Sequence, residues 1–311
     1  MGTMPRRSRA KTFTLLAGMI AVASLALTGC ASGGSAGSGG GGDAQAAAAA
    51  EVVSIDSFSP TSGSLSGGTT VEIEGSGFAG DGADADAAGT AVASVSFGDT
   101  PAASFTVDGD GSITAVTDAA FNFVVQAVPV TVTLADGSTT STTQGFSYEI
   151  QTAVDSQMAY AFTHWQDYNL AEWGEFPDND CGSFVNQTML ARGWTQNADW
   201  YSDYVATGDY SYSWIRGNQM DAYYDSRPDT TRYEFDDRSQ LKIGDVVMFD
   251  WDPQNDNGVD HTMIISKVTT NADGTIDIAM VGHTLDATYR DLDNAVTVEK
   301  PGGTAHFWSI A

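Results

Sequence analysis

Asp180-Cys181-Gly182-Ser183-Phe184-Val185-Asn186-Gln187 decides how the second half of this chain is read. The 311 residues hold two cysteines, and Cys30 falls within an export signal, so Cys181 has no disulfide partner in the chain. A lone cysteine is most often a small buried hydrophobe. Three features argue for a nucleophile instead. Phe176-Pro177-Asp178-Asn179-Asp180 reads as a loop ending in helix-capping residues. Phe184, Val185, Thr188, Met189 and Ala191 then recur at roughly helical spacing. Cys181 would start that helix, where free N–H groups and the helix dipole favour a thiolate, so its pKa is expected below the free value of about 8.5. Two histidines further on, His261 and His283, offer an imidazole base. The residues alone leave a structural cysteine as the alternative.

Working outward, Leu190-Ala191-Arg192-Gly193-Trp194 continues the motif. Tyr160-Ala161 and Tyr168-Asn169 precede it, and Leu241-Lys242-Ile243-Gly244-Asp245-Val246-Val247, Asp260-His261-Thr262-Met263-Ile264-Ile265 and His283-Thr284 follow. In this order and spacing the segments resemble the Putative amidase domain family, within the papain-like group that includes NlpC-type cell-wall peptidases. The resemblance covers essentially all of residues 151–311. It implies an α+β papain-like domain in which Cys181 is the nucleophile and His261 its base. It also implies a third polar residue on the next strand, His283, placed where neighbouring strands could bring it against the His261 imidazole. The backbone N–H of Cys181 would serve an oxyanion hole, with Asn169 as a candidate second donor. Asp180 and Asp260 directly precede the two catalytic candidates; they could orient loops or bind substrate amines, and caps or surface charge explain them equally well. His164 and His306 read as ordinary polar residues.

The start of the chain reads as an export signal. Arg6, Arg7, Arg9 and Lys11 precede the apolar run Phe13 to Leu27, which is too short and wrongly flanked for a spanning helix. Leu27-Thr28-Gly29-Cys30 resembles a bacterial lipobox. By that resemblance residues 1–29 are removed, Cys30 is acylated, and the protein is anchored to the outer face of the membrane. Four of the 13 basic residues and none of the 40 acidic ones lie before Cys30, so processing takes the formal charge from −27 to −31. Such a chain is not expected to bind nucleic acid or to adhere electrostatically to anionic lipid. Residues 31–50, almost all Ala, Ser and Gly, read as a flexible linker behind the lipidated cysteine.

Residues 51–150 read as all-β. Val71-Glu72-Ile73-Glu74, Val95-Ser96-Phe97 and the run Val128 to Leu134 alternate, with Gly67-Gly68, Asp110-Gly111 and Asp136-Gly137 as turns. Ser59-Pro60-Thr61-Ser62-Gly63, Gly67-Gly68-Thr69-Thr70-Val71, Gly75-Ser76-Gly77-Phe78 and Gly145-Phe146-Ser147-Tyr148 resemble the IPT/TIG module, which implies an immunoglobulin-like sandwich. This segment holds 13 acidic residues and no Lys, Arg, His or Cys, so it offers little for catalysis and is expected to act as a spacer. The acidic stretch Asp81 to Asp86 reads as a solvated loop.

The 151–311 segment shifts composition: all nine basic residues beyond Cys30 lie here. A helical stripe runs from Val154 to Trp165, and strands are expected at 246–249, 263–268, 276–281, 296–298 and 306–310, with Asp273-Gly274 as a hairpin turn. Trp200, Tyr201, Tyr204, Tyr210, Tyr212 and Trp214 could line a substrate groove or form an aromatic core. Asp250 to Asp256 lacks the Gly and Glu of an EF-hand loop, so no metal is assigned, and no cofactor is expected. The expected whole is a monomeric, lipid-anchored cysteine amidase or peptidase acting on amide bonds, with cell-wall peptide as the substrate class the resemblance implies. The alternatives are a surface binding protein on the same two domains, and acyl transfer by the same thiol.

Overall fold

The computed structural model describes residues 53–79, 91–177 and 179–311. Cys30, the linker and the Asp81–Asp86 stretch lie outside the described residues. Among the described residues no helix is long and apolar enough to cross a membrane.

Among the described residues the first module has nine strands: β1 (Ser54–Ser59), β2 (Ser62–Ser64), β3 (Thr70–Ser76), β4 (Val92–Phe97), β5 (Thr100–Pro101), β6 (Ser104–Gly109), β7 (Ser112–Val116), β8 (Gln126–Leu134) and β9 (Thr139–Glu149). They form a four-stranded sheet, order β1-β3-β7-β6, and a five-stranded sheet, order β2-β9-β8-β4-β5. The alternation read from the sequence sets the faces. In β3, Val71 and Ile73 are fully buried while Thr70, Glu72 and Glu74 face water. Val95, Phe97, Ile113, Val130, Val132 and Phe146 complete the core between the sheets. This is an immunoglobulin-like sandwich.

The second module is a mixed α/β domain. Its helices are α1 (Ala153–His164), α2 (Leu170–Trp173), α3 (Asp180–Arg192), α4 (Tyr204–Thr207), α5 (Tyr212–Ile215), α6 (Gly217–Asp225) and α7 (Leu292–Asn294). Two short strands, β10 (Ser202–Asp203) and β11 (Asp209–Tyr210), pair with each other. The main sheet has six strands: β12 (Thr230–Tyr233), β13 (Val246–Asp250), β14 (His261–Thr270), β15 (Ile276–Gly282), β16 (Ala287–Asp291) and β17 (Thr304–Ile310), in the order β12-β17-β13-β14-β15-β16. Residues 295–299, expected in part as a strand, are helical and cover the sheet with Ala295 and Val296. Val296 is buried but Val298 is exposed, so the two valines whose i, i+2 spacing suggested a strand lie on opposite sides of a helical segment.

The sheet is buried on both faces, which locates the site. Val246, Met248 and Ile264 pack with Phe184, Val185 and Met189 of α3, whereas Val247, Phe249, Met263 and Ile265 pack on the other side with Leu292 and Ala295. Strand alternation thus separates even from odd positions of β13 and β14.

The two modules share a core. One buried cluster runs from Phe58 to Ile310. Only residues 150–152 separate β9 from α1. Phe123 packs on Phe162 of α1 at 4.9 Å between ring centroids, and Phe162 on Tyr289 of β16 at 5.3 Å. The buried Asp155 carboxylate accepts from Ser64 Oγ, Ser66 N–H and Ser66 Oγ of the sandwich and from the Gln151 and Thr152 N–H groups at the start of α1 (2.7–2.9 Å).

Candidate active site

The DCGSFVNQ stretch forms the first two turns of α3, and each of its polar residues has a structural reason. Asn186 is fully buried; its Nδ2 donates to the Ser213 and Trp214 carbonyls (3.1 and 2.9 Å), and its Oδ1 accepts from Trp200 Nε1 (2.9 Å). It thereby fixes the aromatic loops onto the helix. Trp200 and Trp214 are fully buried, and none of the six aromatics proposed for a groove borders Cys181. Gln187 accepts from Tyr160 Oη (2.8 Å) and donates to Ser183 Oγ (2.9 Å). At Gly182 a Cβ would lie 3.1 Å from the Ile215 backbone, so glycine lets the end of α5 approach the start of α3.

Cys181 is the second residue of α3, a free thiol bordering a cleft of about 350 Å³. The walls are Asn179, residues 215–219 and Val259 to Thr262. The backbone N–H groups of Thr262 and Gly182, and its own, favour the thiolate form of Cys181. The expectation of a depressed pKa is corrected: burial pushes the thiol up, the Asp180 charge adds to that, and the Thr262, Gly182 and Cys181 N–H groups only partly oppose it. Nor does Asn179 cap the helix through its side chain; Asp180 Oδ1 instead accepts the Phe176 N–H at 3.1 Å.

Asp180 and His283 form a pair that the sequence did not suggest. Asp180 Oδ2 lies 2.5 Å from His283 Nδ1, and His283 Nε2 lies 2.8 Å from the His164 carbonyl, which can only accept. Nε2 therefore carries a proton, and both ring nitrogens are engaged. The ring is further clamped between Tyr168 (3.7 Å between centroids) and Phe184 (4.0 Å). The expected contact of His283 with His261 is thus not made; His283 anchors the helix start instead. Register gives the reason. Ile264 pairs with Val281, which sets position 283 opposite Thr262, on the α3 face. His261 pairs with Phe249 and points to the other face. Its ring lies 6.0 Å from the Phe249 ring and 5.9 Å from that of Trp251. Its Nε2 is buried without a hydrogen-bond partner. Burial, then the Arg290 and Lys300 charges, push its pKa down to about 3, so the imidazole is neutral across the physiological range.

The remaining candidates separate in the same way. Asn169 donates to Glu172 (2.8 Å) and Tyr160 (3.3 Å) and does not border the cleft, which removes it as the second oxyanion donor in this arrangement. Asp260 does border it, and its Oδ2 accepts the Trp251 N–H at 2.8 Å. Carboxylate oxygens of Asp250, Asp252 and Asp260 lie within 4.8 Å of one another, the one group among the described residues that could hold a hard cation. A second cavity, of about 440 Å³, shares Asn218 and Val259 with the cleft. There Asp221 Oδ1 accepts from His306 Nε2 (2.6 Å) and Trp308 Nε1 (2.7 Å). Burial alone would raise the Asp221 carboxyl, but these bonds and the neighbouring charges hold it below the usual range. Sequence reading missed this pair, and also missed residues 215–219 as a cleft wall; the one signal was Gly217, where a Cβ would meet the Val259 carbonyl at 2.5 Å.

The model of the Putative amidase domain family matches residues 147–308. The chain belongs to that family. Its membership points to a hydrolase acting on amide bonds. The IPT/TIG domain model matches residues 54–148, the whole sandwich. No curated protein matches the chain. Among solved structures, the full extracellular region of plexin A4 matches with 19% identity and a TM-score of 0.25 over 32% of this chain. The chain spans about a tenth of that protein's length.

Proposed function

We propose that the chain is a thiol-dependent amide hydrolase working in the cleft bordered by Cys181. The observation that carries this reading is the cysteine at the start of α3, facing a cleft that His261 also lines, with the Thr262 and Gly182 backbone N–H groups favouring its thiolate. Those groups stabilise the thiolate once a base has removed the proton. His261, which lines the same cleft, is the proposed base; its imidazole gains proton affinity as it turns out of the burial and away from the Arg290 and Lys300 charges that hold its pKa down. Its Nε2 has no partner where it sits, so turning toward the sulfur forfeits no hydrogen bond on that atom. In the proposed reaction the Cys181 proton passes to His261, and the thiolate adds to the amide carbonyl carbon. The C–N bond then breaks as the imidazolium protonates the leaving amine. Water, deprotonated by His261, cleaves the thioester and restores the thiol. Asp180 and His283 are proposed to hold the helix start.

The resemblance of the DCGSFVNQ and Asp260-His261 segments to the papain-like, NlpC-type group supports cell-wall peptide as the substrate class. The lipobox-like Leu27-Thr28-Gly29-Cys30 supports an exported protein, anchored through Cys30 to the outer face of a bacterial membrane. The placement of the His261 ring away from α3 favours a second reading, in which the cleft binds its ligand without turning it over. Incubation with wall peptides decides between them: released amine that requires Cys181 supports hydrolysis, and saturable binding without product supports recognition.

A further inference from the structure

A cavity of about 400 Å³ lies where the sandwich meets the α/β domain. Its volume is that of a small-molecule site, and such sites favour domain junctions. Three independent features converge on it. The ladder between β14 and β15 slips between Ile265 and Lys267, leaving Ser266 as the extra residue of a bulge. Ser266 is 1% exposed and lines the cavity, yet its Oγ has no hydrogen-bond partner. A buried hydroxyl left bare is costly and calls for an explanation. Next, Tyr289 and Phe123, which line the cavity, and Asn122 beside them have φ of +53°, +50° and +53°. Left-handed backbone at bulky residues is strained and gathers at ligand sites. Tyr289 Oη accepts the Asn122 N–H (3.2 Å), leaving its own proton to offer a ligand. Finally, the wall carries a loose pair of opposite charges, Lys267 Nζ and Asp118 Oδ2, 4.0 Å apart and both exposed to solvent.

We propose that this junction cavity binds a small zwitterion with an apolar side chain, the chemistry of an apolar α-amino acid. The side chain would lie against Phe123, Tyr289 and Ala120, and the carboxylate would meet Lys267. The ammonium would meet Asp118, and rotation of the Ser266 side chain would bring its now closed-off Oγ onto a ligand oxygen. The cavity shares no lining residue with the Cys181 cleft, and its test is binding and needs no turnover. The probes are L-phenylalanine, its amide, which lacks the negative charge, and 3-phenylpropanoate, which lacks the positive one. Each is titrated calorimetrically into the full chain. L-Phenylalanine is expected to saturate and to bind more tightly than either analogue. Ser266→Ala should weaken it by about 2- to 10-fold, the worth of one neutral hydrogen bond, while leaving the fold at least as stable because the bare hydroxyl is gone. Lys267→Gln should abolish the preference over the amide. Lack of saturable binding by L-phenylalanine, equal binding of all three probes, or unchanged affinity in both variants would overturn the proposal.

Discussion

Removing the Asp155 carboxylate should loosen both modules at once. Asp155→Ala takes the acceptor from three backbone N–H groups and two serine hydroxyls. Ser64 Oγ already receives the Ser66 N–H at 3.1 Å, so that group keeps a partner, and the hydroxyls can rotate. The Gln151 and Thr152 N–H groups cannot, and they lose a charged acceptor. Bonds to charged acceptors contribute about 1.5–3 kcal/mol each, so the loss should be about 3–5 kcal/mol. For a body of this size that lowers Tm by about 6–20 °C. The pH dependence carries a sign. Hydrogen bonds from Ser66, Gln151 and Ser64 outweigh burial and hold the Asp155 carboxyl below its usual value. A depressed carboxylate contributes stability that is complete above the unfolded value, about 3.9, and is lost as pH falls through the lower folded value. The gap in Tm between the parent and Asp155→Asn should therefore close as pH falls below about 4. Calorimetry should show one transition for sandwich and α/β domain together. Two separate transitions in the parent, or a drop in Tm under about 4 °C, would refute a shared core.

Three further outcomes follow from the site and the proposed export signal. Iodoacetamide labelling of native Cys181 should titrate above the free-thiol value of about 8.5, because burial dominates; a midpoint at or below it would contradict the environment described. Asp180→Asn and His283→Gln should each cost about 3–5 kcal/mol, and the double variant little more than either; additive losses would mean the two do not act as a pair. In a bacterial host Cys30→Ala should move the protein from the membrane to the soluble fraction, and unchanged partition into detergent would remove the lipid anchor.

The sandwich was legible because each cue was local. Val71 and Ile73 alternate with Glu72 and Glu74, and the glycine turns fall where strands reverse. The α3 helix and the β13 to β15 meander were legible for the same reason. What stayed hidden depends on register. A shift of one position moves a side chain to the other face of a sheet. His261 and His283 occupy faces that only the pairing of Ile264 with Val281 reveals. The Asp180–His283 pair spans about a hundred residues, and no spacing rule reaches that far. The joined core was missed because Asp155 looks like any first-turn acidic residue until Ser64 and Ser66 are seen around it.

The most direct measurement is intact-mass spectrometry of the full chain, rapidly quenched during incubation with cell-wall peptide fragments, with parallel mass analysis of the released products. The account predicts cleaved amide products and a transient acyl adduct that maps to Cys181, with both absent from a folded Cys181→Ala variant. Products that persist in Cys181→Ala, or neither product nor adduct from the native protein, would contradict it.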